Sequence, residues 1–210
     1  MSKQSLEDLK SLEDRLRELE RPDTPEWTRA RDALAKRADA AELVDVAFER
    51  HDSPLGSLVL GATAKGLVRV GLPVEGEDAV LDELAERISP RVLCASRESV
   101  TRARHQLDEY FAGRLRCFEV PLDWQLTVGF RREVLRATAR IPYGQTASYR
   151  EVATRAGSPA AFRAAGSALA TNPLPIVVPC HRVLPASGGI GDYRGGAEAK
   201  ARLLDLERAT

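Results

Sequence analysis

Pro179-Cys180-His181-Arg182 puts a thiol next to an imidazole, at the end of an apolar run from Leu174 to Val178 that reads as a strand. The thiolate is the reactive form of cysteine, and a free thiol keeps its proton up to about pH 8.5, so a nucleophilic Cys180 needs help. His181 can act as the base, and Glu207, in the last helical stretch, can orient that base. Neighbouring side chains often point apart, and a single helix glutamate is most often solvated, so the trio acquires meaning only from a fold that gathers it. Cys94 and Cys117 read as buried or incidental thiols, and His51 and His105 as non-functional residues. No spacing of Cys and His builds a disulfide framework or a metal site.

After the cysteine, five glycines fall within residues 188–196, interrupted by Ile190, Asp192, Tyr193 and Arg194. Such a loop allows close approach of a ligand. It lacks the lysine and spacing of a phosphate-binding loop, and its plainer reading is a flexible surface loop. Before the cysteine, Thr127 to Arg140 is amphipathic and stops at Ile141-Pro142-Tyr143-Gly144. Ser148 to Ala156 reads as a short helix, followed by a Gly157-Ser158-Pro159 turn. Ser158 suits a cap and Pro159 the first helical position of the next helix, Ala160 to Ala170. Two short helices around a glycine turn make a helix-turn-helix candidate, a weak signal taken alone. The second helix is built of small residues plus Phe162 and Arg163, so its backbone can approach a groove wall with Arg163 as the one far-reaching side chain. Equally, Arg163 can be an ordinary surface arginine.

The elements that must position these groups begin further upstream. Leucines 6, 9, 12, 16 and 19 predict a helix over residues 2–20, and Glu26 to Ala41 predicts a second, giving a helical hairpin. That hairpin is either a solvated pair docked on the body or an arm for a partner or a second copy. From Leu43 the pattern turns to strands at Val44 to Arg50, Leu58 to Ala62 and Leu67 to Val70. Helices at Glu77 to Ile88 and Ser99 to Phe111 follow, the second ended by Gly113. The predicted class is α+β: a helical extension over residues 1–41, a small α/β domain with an antiparallel sheet over 42–121, and a mainly helical domain over 122–210.

The chain has 210 residues, 43% hydrophobic and 30% charged, an ordinary globular composition. No apolar stretch approaches the roughly 18 residues of a membrane span, and the amino-terminal stretch is too polar for a signal peptide. Three cysteines without a close pair suit a reducing cytoplasm. Net charge is zero, but residues 122–210 carry 12 basic and 7 acidic residues, a net of +5, and 11 of the 12 are arginine. Arginine favours phosphate contacts, so a polyanionic partner fits this third of the chain.

The stretch from Ile141 to Glu207 resembles the O6-alkylguanine-DNA alkyltransferases, the methylated-DNA–protein-cysteine methyltransferases. The likeness rests on Ile141-Pro142-Tyr143-Gly144, Thr146, Ser148-Tyr149, Arg163-Ala164, Gly166 and Asn172-Pro173. It continues through Pro179-Cys180-His181-Arg182-Val183, Gly191, Tyr193, Gly195-Gly196, Lys200, Leu203-Leu204 and Glu207. A fainter likeness reaches back over Ser53-Pro54-Leu55-Gly56 and Tyr110-Phe111-Ala112-Gly113, so that residues 44–208 are covered and the amino-terminal hairpin is not. Arg131 and Leu135 depart from the glutamine and tryptophan common in the family; both fall on a supporting helix, where altered packing is expected.

The resemblance implies a repair protein that flips O6-alkylguanine, and alkylated thymine as a further substrate, out of double-stranded DNA. It then moves the alkyl group irreversibly onto Cys180. His181 would take the thiol proton through a water, Glu207 would orient His181, and Tyr149 would donate toward the leaving base. The Cys–His pair is expected to lower the thiol pKa. Asn172 would tie the active-site turn. Arg163 would fill the vacated base stack, with Tyr149, Ala164 and Gly166 also at the DNA. Carbonyls of Cys180 and Val183, the Arg194 amide, Tyr193 and Gly195 would form the base pocket. No cofactor, no metal and no membrane are implied, and a monomer is expected. Two other readings use the same residues: a lesion binder without transfer, and a Cys-His hydrolase, which leaves Tyr149 and Arg163 without a role.

Overall fold

A computed structural model describes residues 43–209 apart from Ser187, together with Arg29, Ala33, Leu34, Arg37, Ala38 and Ala41 before them. The predicted helix over residues 2–20 lies outside the described residues, and so does the hairpin as a unit. Of the second predicted helix, residues 29, 33, 34, 37 and 38 are helical, and Ala38 packs against Val44, Ala47 and Ala95.

Alternation along the first half produces a four-stranded sheet in the order β3-β2-β1-β4. β1 (Val46–Ser53) and β2 (Gly56–Thr63) pair antiparallel around Ser53, whose hydroxyl is donated to Gly56 O at 2.7 Å. β3 (Gly66–Gly71) continues the antiparallel run, with a register shift at Gly61/Ala62. β4 (Val92–Cys94) was not predicted, and it adds parallel to β1, so the sheet is mixed rather than purely antiparallel. Three residues are too few to produce a recognisable alternation, which explains why it is silent in the sequence.

β2 is apolar on both faces because both are covered. Leu58, Leu60 and Ala62 join Val100, Ala103 and Leu107 of α2 (Glu98–Phe111). Val59 faces the other way, onto Val80 and Leu84 of α1 (Glu77–Arg87). Gly113, at φ 72°, closes α2 in the left-handed conformation the sequence suggested.

The two halves are stitched at β3. Leu67 donates its amide to Pro121 O and accepts from Asp123 N, each at 2.8 Å. A Cβ on Gly66, at φ 143°, would sit 2.2 Å from Pro121 O, so only glycine fits there. The second half holds α3 (Gly129–Ala139), α4 (Tyr149–Arg155), α5 (Phe162–Ala170) and α6 (Gly196–Ala209). One core runs through both halves, from Leu58, Leu60 and Val70 to Val134, Leu135, Val178 and Leu203. A minimal parallel pair, β5 (Ala147–Ser148) with β6 (Val183–Leu184), pins the segment after the cysteine to the start of α4.

Ser148 caps α4 reciprocally with Glu151: Ser148 Oγ accepts Glu151 N at 3.2 Å, and Glu151 Oε2 accepts Ser148 N at 2.6 Å. The expected cap of α5 fails. The helix begins at Phe162 rather than near Pro159, because Ser158 to Ala161 close a turn of their own, with Ala161 N donated to Ser158 O. α5 buries Ala165, Ala168 and Leu169 and leaves Arg163, Ala164, Ser167 and Ala170 exposed. No helix among the described residues is long and apolar enough to cross a membrane.

Candidate active site

The run from Leu174 to Val178 is a turn, not a strand. Pro173 and Pro175 lack amide donors, which blocks a ladder. Asn172 supplies the alternative. Its Oδ1 accepts Leu174 N at 3.0 Å, and its Nδ2 donates to Val178 O at 2.9 Å and to Cys180 Sγ at 3.2 Å. Val178 N closes back on Leu174 O at 2.8 Å. Ile176 completes the turn at φ 72°, unusual for a β-branched residue, with its side chain wholly buried. Cys180–Arg182 then form one turn of 3-10 helix, which separates the adjacent cysteine and histidine side chains into different environments.

His181 is fully buried, and its Nε2 lies 2.9 Å from Glu207 Oε1. Glu207 also accepts Tyr110 Oη at 2.7 Å, Arg182 Nη2 at 2.8 Å and Arg182 Nε at 2.9 Å, and Gly144 N at 3.1 Å. Burial alone would raise this carboxyl. The hydrogen bonds from His181 and Arg182 outweigh it and hold the group ionised, well below the usual carboxylate range. An ionised Glu207 can only accept, so Nε2 of His181 carries the hydrogen and Nδ1 carries the lone pair. Nδ1 has no partner among the protein atoms. Burial lowers the His181 pKa, with Glu207 working against it, so the ring stays neutral and basic at Nδ1.

Cys180 is 4% exposed, yet it lines a cavity of about 450 Å3 together with Tyr149, Phe162, Arg163, Gly166, Asp192 and Tyr193 among others. Burial pushes the thiol up from 9.0 to about 11, against the hydrogen bond from Asn172 and the charge of Lys200. The expected lowering of the thiol pKa is therefore corrected. Burial outweighs the nearby Lys200 and Arg194 charges, so the sulfur holds its proton at rest and must lose it as it reacts.

The predicted residues separate into layers. Cys180, Tyr149, Tyr193, Arg163 and Gly166 face the cavity, and His181, Glu207 and Asn172 form the scaffold behind its floor. Ala164, Val183, Arg194 and Gly195 do not line it. Val183 O accepts Lys200 Nζ at 2.8 Å, and Arg194 turns its guanidinium to Glu75 at 2.6 Å. A Cβ on Gly195 would come within 2.8 Å of the Tyr193 ring, so this glycine lets the tyrosine pack. The Tyr193 hydroxyl is buried without a protein partner, and burial raises its pKa. Burial likewise raises Tyr149, helped by Asp192, so both phenols remain protonated.

Three supporting residues had no role assigned from sequence: Tyr110, Arg182 and Lys200. Tyr110 falls on the same helix face as Val100, Ala103 and Leu107, so its hydroxyl had to find a buried acceptor, and that periodicity was the available signal. A larger cavity of about 630 Å3, lined by Lys65, Arg91, Arg97 and Arg102 among others, contains neither cysteine nor histidine. Chemistry, not volume, selects the smaller one. Among the described residues no group of His, Cys, Asp and Glu could hold a metal ion.

A thiol on the floor of a pocket, backed by an imidazole and a buried carboxylate beside a helical pair, defines a cysteine group-transfer protein. Residues 46–124 match the family model for the ribonuclease-like domain of 6-O-methylguanine DNA methyltransferase, and residues 129–209 match the model for its DNA-binding domain. The chain is 41% identical over 170 residues to the methylated-DNA–protein-cysteine methyltransferase of Mycolicibacterium paratuberculosis, covering 78% of this chain and 93% of that one. It is 37% identical over 149 residues to the inducible enzyme of that name from Bacillus subtilis, covering 71% and 83%. The crystal structure of the Mycobacterium tuberculosis O6-methylguanine methyltransferase superposes with a TM-score of 0.66 at 36% identity, over 78% of this chain and 93% of that one. The same organism's protein in complex with DNA superposes at 0.64. The chain belongs to the methylated-DNA–protein-cysteine methyltransferase family.

Proposed function

We propose that the protein repairs duplex DNA by moving an alkyl group from O6 of guanine onto Cys180 Sγ, once per molecule, with alkylated thymine as a second substrate. A new S–C bond forms as the C–O6 bond breaks, and the thiol proton passes through a water to Nδ1 of His181. The developing charge on the base is met by the Tyr149 hydroxyl, donated toward the ring. The observation that carries this reading is the fixed tautomer: ionised Glu207 commits Nε2 and leaves a neutral, basic Nδ1 next to a cysteine that lines a cavity. With the resting thiol protonated, base assistance and attack belong to one step.

In this reading residues 122–210 form the DNA-binding unit, residues 42–121 brace it, and α4 and α5 are a helix-turn-helix. α5 enters the minor groove on its small exposed face, Arg163 fills the space of the flipped nucleotide, and Ala164 and Gly166 allow close approach. Val183, the Arg194 amide and Gly195 shape the guanine edge of the pocket through their backbone. The protein works without a cofactor, as a cytoplasmic monomer.

Incubation with duplex DNA containing O6-methylguanine, followed by intact-protein mass measurement, tests the assignment. One methyl group should appear on Cys180, and Cys180→Ala should bind the duplex but gain nothing. Clearance of the lesion by that variant overturns the reading. The rate should hold as pH falls through 6.5, the ordinary histidine value, and drop only once His181, whose pKa is lowered by burial, takes up a proton. A midpoint at or above 6.5 in the rate profile excludes His181 as the base.

A further inference from the structure

We infer that Glu75, on the short 3-10 turn after β3, is a positioning residue for alkyl transfer: it holds two arginines against the backbone just before the active-site turn, and so sets the Asn172 amide that contacts the sulfur. The inference rests on Cys180 being the acceptor.

Three consecutive carbonyls precede that turn, and each accepts from a different arginine. Thr171 O takes Arg131 Nη2 at 2.8 Å, Asn172 O takes Arg194 Nη1 at 3.4 Å, and Pro173 O takes Arg69 Nη1 at 3.5 Å. Pro173 O also accepts Val70 N at 2.8 Å, so the sheet edge grips the same point. Arg69 is 1% exposed, and a charge that deep requires a buried counter-charge. Its Nε reaches Glu83 at 3.0 Å and its Nη2 reaches Glu75. Arg194 donates its Nε to the same Glu75 oxygen at 2.6 Å.

Glu75 is therefore the shared clamp. Its other oxygen accepts Leu72 N at 2.8 Å, which fixes the carboxylate to the turn that carries it. Glu75 does not line the cavity, so it acts only through other residues. Loss of its charge leaves Glu83 as the carboxylate remaining to both arginines, at 3.0 Å from Arg69 Nε but 3.8 Å from Arg194 Nη2, so Arg194 keeps only the longer contact and can swing away. The Asn172 backbone then loses one restraint directly and a second at Pro173. The Asn172 amide donates to Cys180 Sγ and thereby favours thiolate character. The charged and titratable groups acting on that sulfur or lining its cavity are Tyr149 from α4, Arg163 from α5, Asp192, Tyr193 and Arg194 from the glycine loop, Lys200 from α6 and the adjacent His181.

Two effects of neutralising Glu75 have opposite signs. Removing a negative charge by itself favours the thiolate and moves its ionisation to lower pH. Loosening the Asn172 amide moves it to higher pH. Full-length Glu75→Gln and Glu75→Asp should be compared with the parent in two assays: the pH profile of iodoacetamide labelling at Cys180, read by peptide mass, and methyl transfer from an O6-methylguanine duplex. The brace predicts an upward shift of the labelling midpoint and about tenfold slower transfer for Glu75→Gln, with Glu75→Asp recovering most of both. Arg194→Lys, at a partly exposed site, should shift the midpoint in the same direction. An unchanged or lowered midpoint in a folded Glu75→Gln protein overturns the inference, as does a fall in Tm with no movement of the profile. Labelling decides the brace on its own; absent methyl transfer in the parent overturns instead the assignment beneath it.

Discussion

His51 and His181 are both buried, and each keeps a ring nitrogen without a protein hydrogen-bond partner. Burial lowers the pKa of both, and each has a carboxylate close by. They differ in what that carboxylate is attached to. Asp108 approaches His51 Nε2 at 3.3 Å without a hydrogen bond, from a side chain 64% exposed. Glu207 is 1% exposed and locked by Arg182, Tyr110 and the Gly144 amide. An exposed partner can rotate into solvent and leave the tautomer open. A buried, fully bonded partner fixes which nitrogen is basic, so a buried imidazole becomes a base through its neighbour's neighbours.

The largest test of that contrast exchanges the rings. His181→Gln should slow methyl transfer by about 10² to 10⁴, the usual contribution of a general base, while His51→Gln leaves the rate near parental. Equal losses in single-turnover assays erase the distinction. Next come the carboxylates. Glu207→Gln strips a buried arginine and a buried imidazole of their anion and should lower stability by about 3–5 kcal/mol in denaturant titrations, whereas Asp108→Asn should change it by under about 1 kcal/mol. Within the Glu207 network a smaller loss is expected from Tyr110→Phe, which removes one hydrogen bond to a charged group for about 1.5–3 kcal/mol. Its transfer rate should stay close to parental, because Arg182 still holds Glu207. A rate as low as that of Glu207→Gln makes Tyr110 part of the proton path instead.

The contact between His181 and Glu207 was legible only through the family resemblance, since an adjacent Cys-His and a lone helix glutamate mean little by type, and the helices were legible because α1, α2 and α3 each keep an apolar face over eleven or more residues. What escaped was decided by contacts that sequence spacing does not carry. The run from Leu174 to Val178 has strand composition, yet a side chain at 172 and two prolines fold it into a turn. The lowered thiol pKa follows from a Cys–His pair in isolation, and burial reverses it. β4 is held by register against β1 rather than by a pattern of its own. Arg131 read only as altered packing on a supporting helix, Arg194 only as a backbone amide at the base, and Arg69 carried no signal; three successive carbonyls bring their side chains together.

Ile176 shows what such contacts demand. Its backbone occupies a region that a branched side chain avoids, at an expense of about 1–3 kcal/mol, and its buried side chain anchors it there. A short synthetic peptide copied from residues 172–182 would relax out of that shape and offer a thiol like any other in solution. The reactivity of this cysteine is thus a property of the whole folded chain, and grafting the motif onto a foreign loop would transfer its letters without its temperament.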